Sequence, residues 1–314
     1  MRVYVAGHKG MVGRHVSKII SSCADHELIT ADRNELDLVQ EKEVSSFLVA
    51  NNPDQIIICA AKVGGILANS LNQYEFLIDN LRIQNNILNA ARELDIKKII
   101  FLGSSCIYPK FCPQPMKEED LLSSSLEETN EAYAIAKITG IKLCQALNKQ
   151  YGFDARALMP TNLYGAYDNF DLKNSHVIPA LIRKFLDAKE KGLDKVEIWG
   201  TGSPLREFMH VEDLASAIKF IMDLSKDEFQ EASNNGVLMN VGSNSEVSIK
   251  QLANLISDIV NFDGSIFFNT SYPDGTPRKL MNSGRLQKLG WYPKISLKEG
   301  LKKTIDWYVD NANS

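Results

Sequence analysis

A glycine-rich turn between a short apolar run and an amphipathic segment stands at the beginning of the chain. The apolar run is 3–6, the turn extends from Gly7 to Gly13, and the amphipathic segment ends near Ile20. Glycines at these spacings permit a tight turn, let a backbone approach a pyrophosphate, and let a helix pack closely on a strand. The helix N-terminus supplies N–H groups and positive potential. The order strand, turn, helix therefore predicts the first unit of a nucleotide-binding sheet.

Apolar runs and amphipathic segments continue to alternate after this unit. Strands are expected at 27–31, 56–61, 98–102 and 153–159, and helices at 44–50, 72–94 and 131–151. Such alternation is typical of a parallel sheet with right-handed crossovers. We predict an α/β fold, a Rossmann-type doubly wound parallel sheet with a smaller α/β C-terminal part that binds the substrate.

The second half of the chain is less regular. Helices are expected at 177–188, 211–224 and 248–260, strands at 196–199 and 237–241, and a basic turn at 273–279. We expect residues 1–165 to form the dinucleotide-binding domain, with parts of 205–245 returning to it. Residues 166–314 are expected mainly to bind the substrate, with the ligand between the two parts.

Charge and cysteine usage exclude several classes of protein. A net charge of -4 over 314 residues and a pI of 5.8 leave no overall basic field, so we expect no nucleic-acid partner. The apolar runs are too short to span a membrane, and a first strand at Arg2 leaves no room for a signal peptide. The 5 cysteines are scattered without metal-binding spacing. We expect a cytoplasmic protein without disulfides or structural metal.

Tyr133 and Lys137 lie four residues apart in a segment rich in Ala and Ile. In a helix both side chains project from one face. The ammonium is expected to favour the phenolate and to lower the tyrosine pKa from about 10. Tyr133 could then act as a proton donor, and Lys137 would adjust its pKa. The same spacing also arises by chance, with an ordinary surface lysine.

A serine cluster follows the strand at 98–102. Gly103-Ser104-Ser105-Cys106 would lie at the carboxyl edge of the sheet, where ligands of such folds bind. A serine hydroxyl at this edge can meet a reacting carbonyl oxygen. A serine-rich turn without a ligand is the alternative, and it suits Ser105 better than Ser104.

Two neighbouring residues give opposite indications about the dinucleotide. Asp32 follows the second strand, where a carboxylate would bind a free ribose 2′-hydroxyl and favour NAD. Arg33, together with Lys9 in the glycine turn, would attract the 2′-phosphate of NADP. We favour NADP, with Asp32 pointing away from the site.

These segments together resemble the extended short-chain dehydrogenase/reductase family, essentially from end to end. The resemblance is carried by the glycine turn, by Gly103–Cys106, by the Tyr133 and Lys137 pair, and by Pro160–Gly165. Two further segments, Asn174–Pro179 and Asp274–Lys279, are similar to a branch of this family that acts on GDP-linked 4-keto sugars. Lys9, where arginine is more usual, and Asp32 depart from that branch.

The resemblance implies roles for individual residues. Ser104, Tyr133 and Lys137 match a reductive triad, and Cys106 and His176 match an epimerising base and acid. Substrate-binding positions are Lys184, Trp199, Arg206, Asp274 and Lys279. Cofactor-binding positions are Gly7, His8, Lys9, Gly10, Met11, Val12, Gly13, Arg33, Asp37, Leu38, Ala60, Ala61, Lys137, Pro160, Asn162, Leu163 and His176.

The resemblance also implies a reaction and partners. We expect NADPH-dependent 3,5-epimerisation and 4-reduction of GDP-4-keto-6-deoxy-D-mannose, with NADP(H) as cofactor, by a homodimer formed through the helices at 72–94 and 131–151. One alternative is an enzyme that only reduces C4 of a related GDP-4-keto sugar, such as a heptose. Another is a non-catalytic dinucleotide-sensing protein, since a fold does not dictate a function.

Overall fold

A computed structural model of the chain describes residues 1–172 and 174–311. The strands are β1 (Arg2–Ala6), β2 (Glu27–Ile29), β3 (Gln55–Ile58), β4 (Lys98–Leu102), β5 (Asp154–Pro160), β6 (Asn162–Tyr164), β7 (Lys195–Trp199), β8 (Leu205–His210), β9 (Leu238–Val241), β10 (Glu246–Ser248), β11 (Ser265–Asn269) and β12 (Arg278–Lys279). The α-helices are α1 (Met11–Ser21), α2 (Glu41–Asn51), α3 (Ile66–Leu71), α4 (Gln73–Glu93), α5 (Glu131–Tyr151), α6 (Val177–Glu190), α7 (Val211–Asp223), α8 (Lys226–Ala232), α9 (Ile249–Val260), α10 (Gly284–Lys288) and α11 (Leu297–Asn311). Within these ranges no helix has the length and apolarity that crossing a membrane requires.

The largest sheet has six strands in the order β2-β1-β3-β4-β5-β9. Every neighbouring pair in it is parallel. The strand order reverses at β1, and open sheets of this kind bind ligands beyond the carboxyl ends of the strands at such a point. The predicted α/β fold with a doubly wound parallel sheet is confirmed.

Both faces of this sheet are covered by helices. One face packs on a core that includes Leu48 of α2, Ile87 of α4 and Ile141 of α5. The other face packs on a second core that includes Val16 of α1 and Ile218 of α7. Burial on both sides explains why strands such as β3 are continuous apolar runs.

Smaller sheets follow in the second half of the chain. The central strand β8 pairs with β6, β10 and β12, while β7 pairs with β11. A third core lies among α6, α9 and α11. The basic turn leads into β12, which pairs with β8, and α6 packs in the third core.

Some predicted boundaries differ from the structure. The strand expected at 27–31 ends at Ile29, because Asp32 begins a turn in which its Oδ1 accepts from the Asn34 N–H. The helix expected at 72–94 begins at Gln73 and is preceded by α3, with a break at Asn72. The irregular stretch around Arg206 forms strand β8.

Candidate active site

The glycine turn forms a close-packed cradle at the start of α1. Gly7 has a φ of +84°, and the N–H of Gly10 donates to its carbonyl at 3.1 Å. A Cβ at Gly13 would lie 2.1 Å from the Gly7 oxygen, so no side chain fits there. The first-turn N–H groups of α1 therefore stay accessible to an anion. This cradle fits a dinucleotide pyrophosphate.

The turn after β3 packs directly on the glycine turn. A Cβ at Gly7 would lie 2.7 Å from the Ala60 backbone, and the Cys59 N–H donates to the Ala6 carbonyl at 3.0 Å. The predicted cofactor residues Gly7 and Ala60 thus meet where the strand order reverses. Ala61 follows Ala60 in the same turn.

Asp37 and Leu38 lie in the turn between β2 and α2. Asp37 accepts the Val39 N–H at 3.2 Å, and the Leu38 carbonyl accepts from Asn86 Nδ2 of α4 at 3.0 Å. The structure therefore ties this predicted part of the cofactor site to α4.

The expectation that Asp32 points away from the site is wrong. Asp32 Oδ2 accepts from Lys9 Nζ at 2.8 Å. The carboxylate is oriented toward the glycine turn because its other oxygen accepts the N–H groups of Asn34 and Glu35. The Lys9 hydrogen bond, aided by these N–H groups, lowers the pKa of Asp32.

Ser104 and Cys106 lie at the carboxyl end of β4. Ser104 Oγ accepts the Cys106 N–H at 3.4 Å, which begins a 3₁₀ turn over Ser105–Ile107. Cys106 is only 8% exposed, although it lies in the serine cluster that follows β4. Below this turn, Tyr108 donates to Asn240 Oδ1 of β9 at 2.5 Å and so joins the segment to the last strand of the sheet.

Helix α5 lies unusually close to β4. A Cβ at Gly140 would lie 2.3 Å from the Phe101 ring, so only glycine permits this approach. Gln84 of α4 holds α5 from the other side by donating to the Ala136 carbonyl at 2.8 Å. Lys137 Nζ reaches the Leu102 carbonyl at 2.8 Å. The three contacts fix the helix that carries Tyr133 against the strand that leads to Ser104.

Burial determines the protonation of the Tyr133 phenol. Removal from water raises the pKa of Tyr133 far above its ordinary value, the Cys106 thiol raises it further, and the Ser104 hydroxyl opposes them. Burial also lowers the pKa of Lys137 to about 8. The prediction that Lys137 lowers the tyrosine pKa is therefore wrong, because burial disfavours the charged form of both groups. Tyr133 is a protonated donor.

The Cys106 thiol has two cations nearby. Burial raises its pKa, while the Ser104 hydroxyl, Lys279 and Lys137 lower it. Burial lowers the pKa of Lys279, and the nearby thiol opposes that shift. The Ser104 hydroxyl is thus close to both Cys106 and Tyr133, and the structure brings these predicted residues together with Lys137 and Lys279.

The loop after β3 supports Tyr133 through Asn80 and Phe76 of α4, two residues that were not singled out from the sequence. Asn80 of α4 accepts the Lys62 N–H at 2.8 Å and donates to the Lys62 carbonyl at 3.0 Å. Phe76, one turn earlier, contacts the Tyr133 ring edge-on, with centroids 6.5 Å apart. A Cβ at Gly64 would lie 3.1 Å from Phe76. The usable signal was Asn80 and Gln84, two amides spaced i, i+4 on the buried side of a helix.

The same loop contacts the segment before His176. The Gly65 N–H donates to the Asn174 carbonyl at 3.1 Å. His176 is the N-cap residue of α6, and neighbouring atoms desolvate its imidazole and lower its pKa, although the residue keeps an exposed surface. Within residues 1–172 and 174–311 its ring has no hydrogen bond to the other predicted catalytic residues. The hydrogen bond from Gly65 joins the loop that supports Tyr133 to the segment just before His176.

Lys184 and Trp199 meet near the end of β7. Lys184 Nζ lies 5.5 Å from the Trp199 ring centroid and donates to the Glu197 carbonyl at 3.0 Å. Trp199 is 61% exposed and stacks on Tyr272, with centroids 4.4 Å apart. Tyr272 was not singled out from the sequence. The exposed aromatic pair with an adjacent cation is suited to a flat base and an anion.

Arg206 and Lys279 form a second group of cations. They are opposite each other in the parallel pair of β8 and β12. Burial lowers the pKa of Arg206, and Asp274 opposes that shift. The Asp274 carboxylate accepts the Thr201 N–H at 2.9 Å and the Thr201 hydroxyl at 2.7 Å. Asp274 thus holds the loop at Thr201 beside the two cations. Arg206 and Lys279 together could bind the negative charges of a diphosphate.

The segment after β5 runs between the large sheet and β8. Pro160 ends β5, the Thr161 N–H donates to the Val241 carbonyl at 3.0 Å, and Asn162 Nδ2 donates to the Glu207 carbonyl at 2.8 Å. Leu163 packs against the core that also contains α1 and α7.

In the described part of the chain no cluster of three or more His, Cys, Asp or Glu side chains could hold a metal ion.

Comparison with known proteins agrees with this geometry. A relative from Oryza sativa subsp. japonica, named probable GDP-L-fucose synthase 1, is 51% identical over 100% of this chain and 93% of its own length. A solved GDP-6-OMe-4-keto-L-xylo-heptose reductase from C. jejuni is 34% identical with a TM-score of 0.90, covering 98% of this chain and 97% of that one. A GDP-L-fucose synthetase from Naegleria fowleri, solved bound to NADP, is 26% identical with a TM-score of 0.88, covering 100% and 95%. Residues 3–242 match the model of the NAD dependent epimerase/dehydratase family. The chain belongs to the NAD dependent epimerase/dehydratase family.

Proposed function

We propose that the chain is an NADP-dependent enzyme that epimerises C3 and C5 and reduces C4 of GDP-4-keto-6-deoxy-D-mannose, giving GDP-L-fucose. The observation that carries this proposal is the close grouping of a thiol, a hydroxyl and a protonated phenol in Cys106, Ser104 and Tyr133. The group contains a base for carbon acids and donors for a ketone oxygen. Identity of 51% to a GDP-L-fucose synthase supports the choice of substrate.

Epimerisation uses Cys106 and His176. The C4 ketone acidifies the protons on C3 and C5, so a Cys106 thiolate can remove each one. The His176 imidazolium returns a proton on the opposite face, which inverts the carbon. Ser104 and Tyr133 donate hydrogen bonds to O4 and stabilise the negative charge of the enolate. Each inversion leaves a thiol and a neutral imidazole, which exchange protons with solvent before the next one.

Reduction uses Tyr133 and Lys137. NADPH, when bound, supplies the hydride that C4 receives. Tyr133 then gives its phenolic proton to O4, and the Ser104 hydroxyl continues to donate to the same oxygen. Lys137 holds the nicotinamide ribose. The glycine cradle, with Gly7, Gly10 and Gly13, holds the pyrophosphate through the N–H groups of α1.

The substrate is held by the second half of the chain. Arg206 and Lys279 bind the diphosphate, because they are two cations opposite each other on β8 and β12 and Lys279 lies near the Cys106 thiol. Trp199 and Lys184 bind the nucleoside end, and Asp274 positions the intervening loop. We accordingly propose that residues 1–165, together with parts of 205–245, hold NADP and that residues 166–314 mainly hold the GDP-sugar.

We also propose a cytoplasmic homodimer. All 5 cysteines (Cys23, Cys59, Cys106, Cys112 and Cys144) are free thiols, as is usual in a reducing compartment. Helices α4 and α5 pack side by side, and their surface includes the exposed Tyr74 and Ile135. Pairing of two copies through these helices would cover that surface. Sedimentation of the purified protein would separate a dimer from a monomer.

The test is product identification. Purified protein is incubated with NADPH and GDP-4-keto-6-deoxy-D-mannose, and the product is analysed by NMR. GDP-L-fucose is expected. A product that keeps the original configuration at C3 and C5 would instead support the C4 reductase alternative, which the similarity to the heptose reductase favours. Absence of NADPH oxidation with either sugar would support the sensing alternative.

A further inference from the structure

The imidazole of His176 depends for its position on the chain segment that leads to it. His176 is the N-cap residue of α6, with an extended backbone, and the residue is exposed. In the part of the chain that the structure describes, its ring makes no capping hydrogen bond to the helix. The direction of the ring is therefore set by the backbone that enters α6. We call residues 165–172 and 174–175 the approach segment.

Short polar turns connect the middle of the approach segment to its end. Asn169 Oδ1 accepts the Asp171 N–H at 2.9 Å, and the Asp171 carbonyl accepts the Ser175 N–H at 2.8 Å. Phe170 lies between the first two of these residues, and Ser175 directly precedes His176. A shift of Phe170 is thus passed on to the residue before the imidazole.

Phe170 anchors the approach segment. It is 8% exposed, and its ring stacks on two rings of α11, with centroids 4.3 Å from Tyr308 and 6.2 Å from Trp307. Aromatic pairs of this kind contribute about 0.5–1.5 kcal/mol beyond the area that they bury. The Phe170 carbonyl accepts from Arg183 Nη1 of α6 at 3.1 Å. The ring of Phe170 is therefore held by α11, and its backbone is held by α6.

Trp307 also contacts the other end of the approach segment. Its ring centroid lies 4.8 Å from that of Tyr167, and the Arg14 guanidinium lies 4.4 Å from the Tyr167 centroid. Arg14 Nε donates to the Lys9 carbonyl in the glycine turn at 2.9 Å. Substitution of Trp307 would therefore disturb the cofactor side of the molecule as well, so Tyr308 is the better residue with which to test the His176 side.

We propose that the stack of Phe170 on α11 positions His176 for the return of a proton to the sugar, and that removal of the proton does not need this stack. Phe170, Trp307 and Tyr308 are positioning residues, since they act through the backbone of the approach segment. Cys106 lies in the 3₁₀ turn after β4, outside that segment. Loss of the stack therefore displaces the acid and leaves the base in place. This inference rests on the proposed function, which assigns removal to Cys106 and return to His176.

Displacement of the acid changes the outcome of each enolisation. The Cys106 thiolate takes a proton from C3 or C5, which leaves a thiol and an enolate. An imidazolium in place gives its proton to the opposite face and inverts the carbon. When His176 is displaced, the thiol, whose proton has exchanged with solvent deuterium, gives a deuteron back to the original face and becomes a thiolate again. Exchange with retention then replaces inversion, and a misplacement of about 1 Å can cost about 10²-fold in rate.

Phe170→Leu and Tyr308→Leu test the stack, because each keeps an apolar side chain and removes one ring. The protein is incubated in D₂O with GDP-4-keto-6-deoxy-D-mannose and NADP+ in place of NADPH, so the reaction stops at the ketone. NMR at early times measures deuterium in the original and in the inverted sugar. The ratio of inversion to exchange is expected to fall about tenfold in each variant. The double variant is expected to fall no further, since both substitutions remove one interaction.

Two controls accompany these variants. Tyr308→Phe keeps the ring and is expected to keep the wild-type ratio, as is Tyr292→Leu at a tyrosine that is 56% exposed. The Kd of NADP+, measured by calorimetry, is expected to be that of the wild type throughout, because the glycine turn is not altered. Tyr308 is half-buried, so its variant still tests the stack if Phe170→Leu does not fold.

The possible results separate this inference from the proposed function. A wild type that shows neither exchange nor inversion would overturn the proposed function and this inference with it. A wild type that inverts both carbons, with an unchanged ratio of inversion to exchange in Phe170→Leu and Tyr308→Leu, would overturn this inference alone. A double variant in which the two losses multiply would also overturn it, because the two rings would then act separately.

Discussion

Lys137 Nζ donates to the Leu102 carbonyl at 2.8 Å and thereby joins the helix that carries Tyr133 to the strand that precedes Ser104. The same ammonium lies 4.9 Å from the Phe101 ring centroid and 5.8 Å from that of Tyr133. Lys137 is only 3% exposed. It is therefore a structural cation of the site as well as a candidate ligand of the cofactor.

Burial of Lys137 predicts a pH-dependent stability. Its pKa is about 8 in the folded chain, against an ordinary 10.5. Between these values the unfolded chain binds more protons, so the free energy of unfolding rises with pH, by about 3 kcal/mol across the window. Below pH 8 both states hold the proton and this contribution to the slope vanishes. Urea titrations of wild type and Lys137→Met from pH 7 to 10 should show that only the wild type gains this stability. Lys142→Met, at an exposed position of the same helix, is the control and should behave as wild type.

Removal of the Tyr133 hydroxyl should greatly slow the reduction and leave the binding of the cofactor unchanged. Tyr133 is a protonated phenol next to Ser104, and loss of a positioned general acid lowers a rate by about 10²- to 10⁴-fold. Tyr133→Phe should therefore oxidise NADPH at that reduced rate, yet bind NADP+ with the wild-type Kd. Tyr151→Phe, at the exposed end of the same helix, should match the wild type in both measurements. Undiminished NADPH oxidation in Tyr133→Phe would remove the proton donor from the mechanism.

Removal of the Cys106 thiol should stop proton exchange at the sugar. In D₂O the wild type should introduce deuterium at C3 and C5 of the substrate, because Cys106 removes those protons. Cys106→Ser should show none, since a hydroxyl is a far weaker base at neutral pH. Cys112→Ser alters another buried thiol in the adjacent loop and should exchange normally. Mass spectrometry of the recovered sugar measures both, and full exchange in Cys106→Ser contradicts the assignment.

The shifted pKa values of Cys106 and His176 predict a broad pH plateau for that exchange. Burial raises the pKa of the thiol and desolvation lowers that of the imidazole. The active form needs thiolate and imidazolium together, so it is the minor form throughout. Its fraction rises with pH below the imidazole pKa, under about 6.5, stays constant, and falls above the thiol pKa, over about 8.5. A rate that climbs steadily between those values would show that His176 is not the acid.

The parts of the fold that sequence could predict are those with local patterns. The glycine turn identifies the first unit because its spacing is local: a Cβ at Gly13 would lie 2.1 Å from the Gly7 oxygen of the same turn. Strand β8 was missed because Glu207 looks like a surface residue. It is fully buried, and it accepts the N–H groups of Asn244 and Met281, which are far along the chain. No local window contains those partners.

The properties of the site likewise divide into those that a local sequence pattern predicts and those that depend on distant parts of the chain. Spacing placed Tyr133 and Lys137 on one face of a helix, and the structure agrees. Spacing could not reveal how deeply the pair is buried, and burial reverses the expected direction of the tyrosine pKa. Residue types likewise placed Asp32 near the ribose, but its pairing with Lys9 depends on a turn that only the structure gives.

Asn80 lies outside the group formed by Ser104, Cys106 and Tyr133, and its substitution tests whether the loop that it holds is needed for catalysis. Its amide binds the Lys62 N–H at 2.8 Å and the Lys62 carbonyl at 3.0 Å, and it is 3% exposed. Asn80→Ala leaves both backbone groups without that partner, which should lower the free energy of unfolding by about 1–3 kcal/mol. The loop also contacts Phe76, which lies against Tyr133, so the loop's displacement should slow NADPH oxidation at saturating sugar. Asn89→Ala, at an exposed position of α4, should change neither the urea midpoint nor the rate. If Asn80→Ala lost stability but kept its full turnover, the loop would be a support of the fold and not of the site.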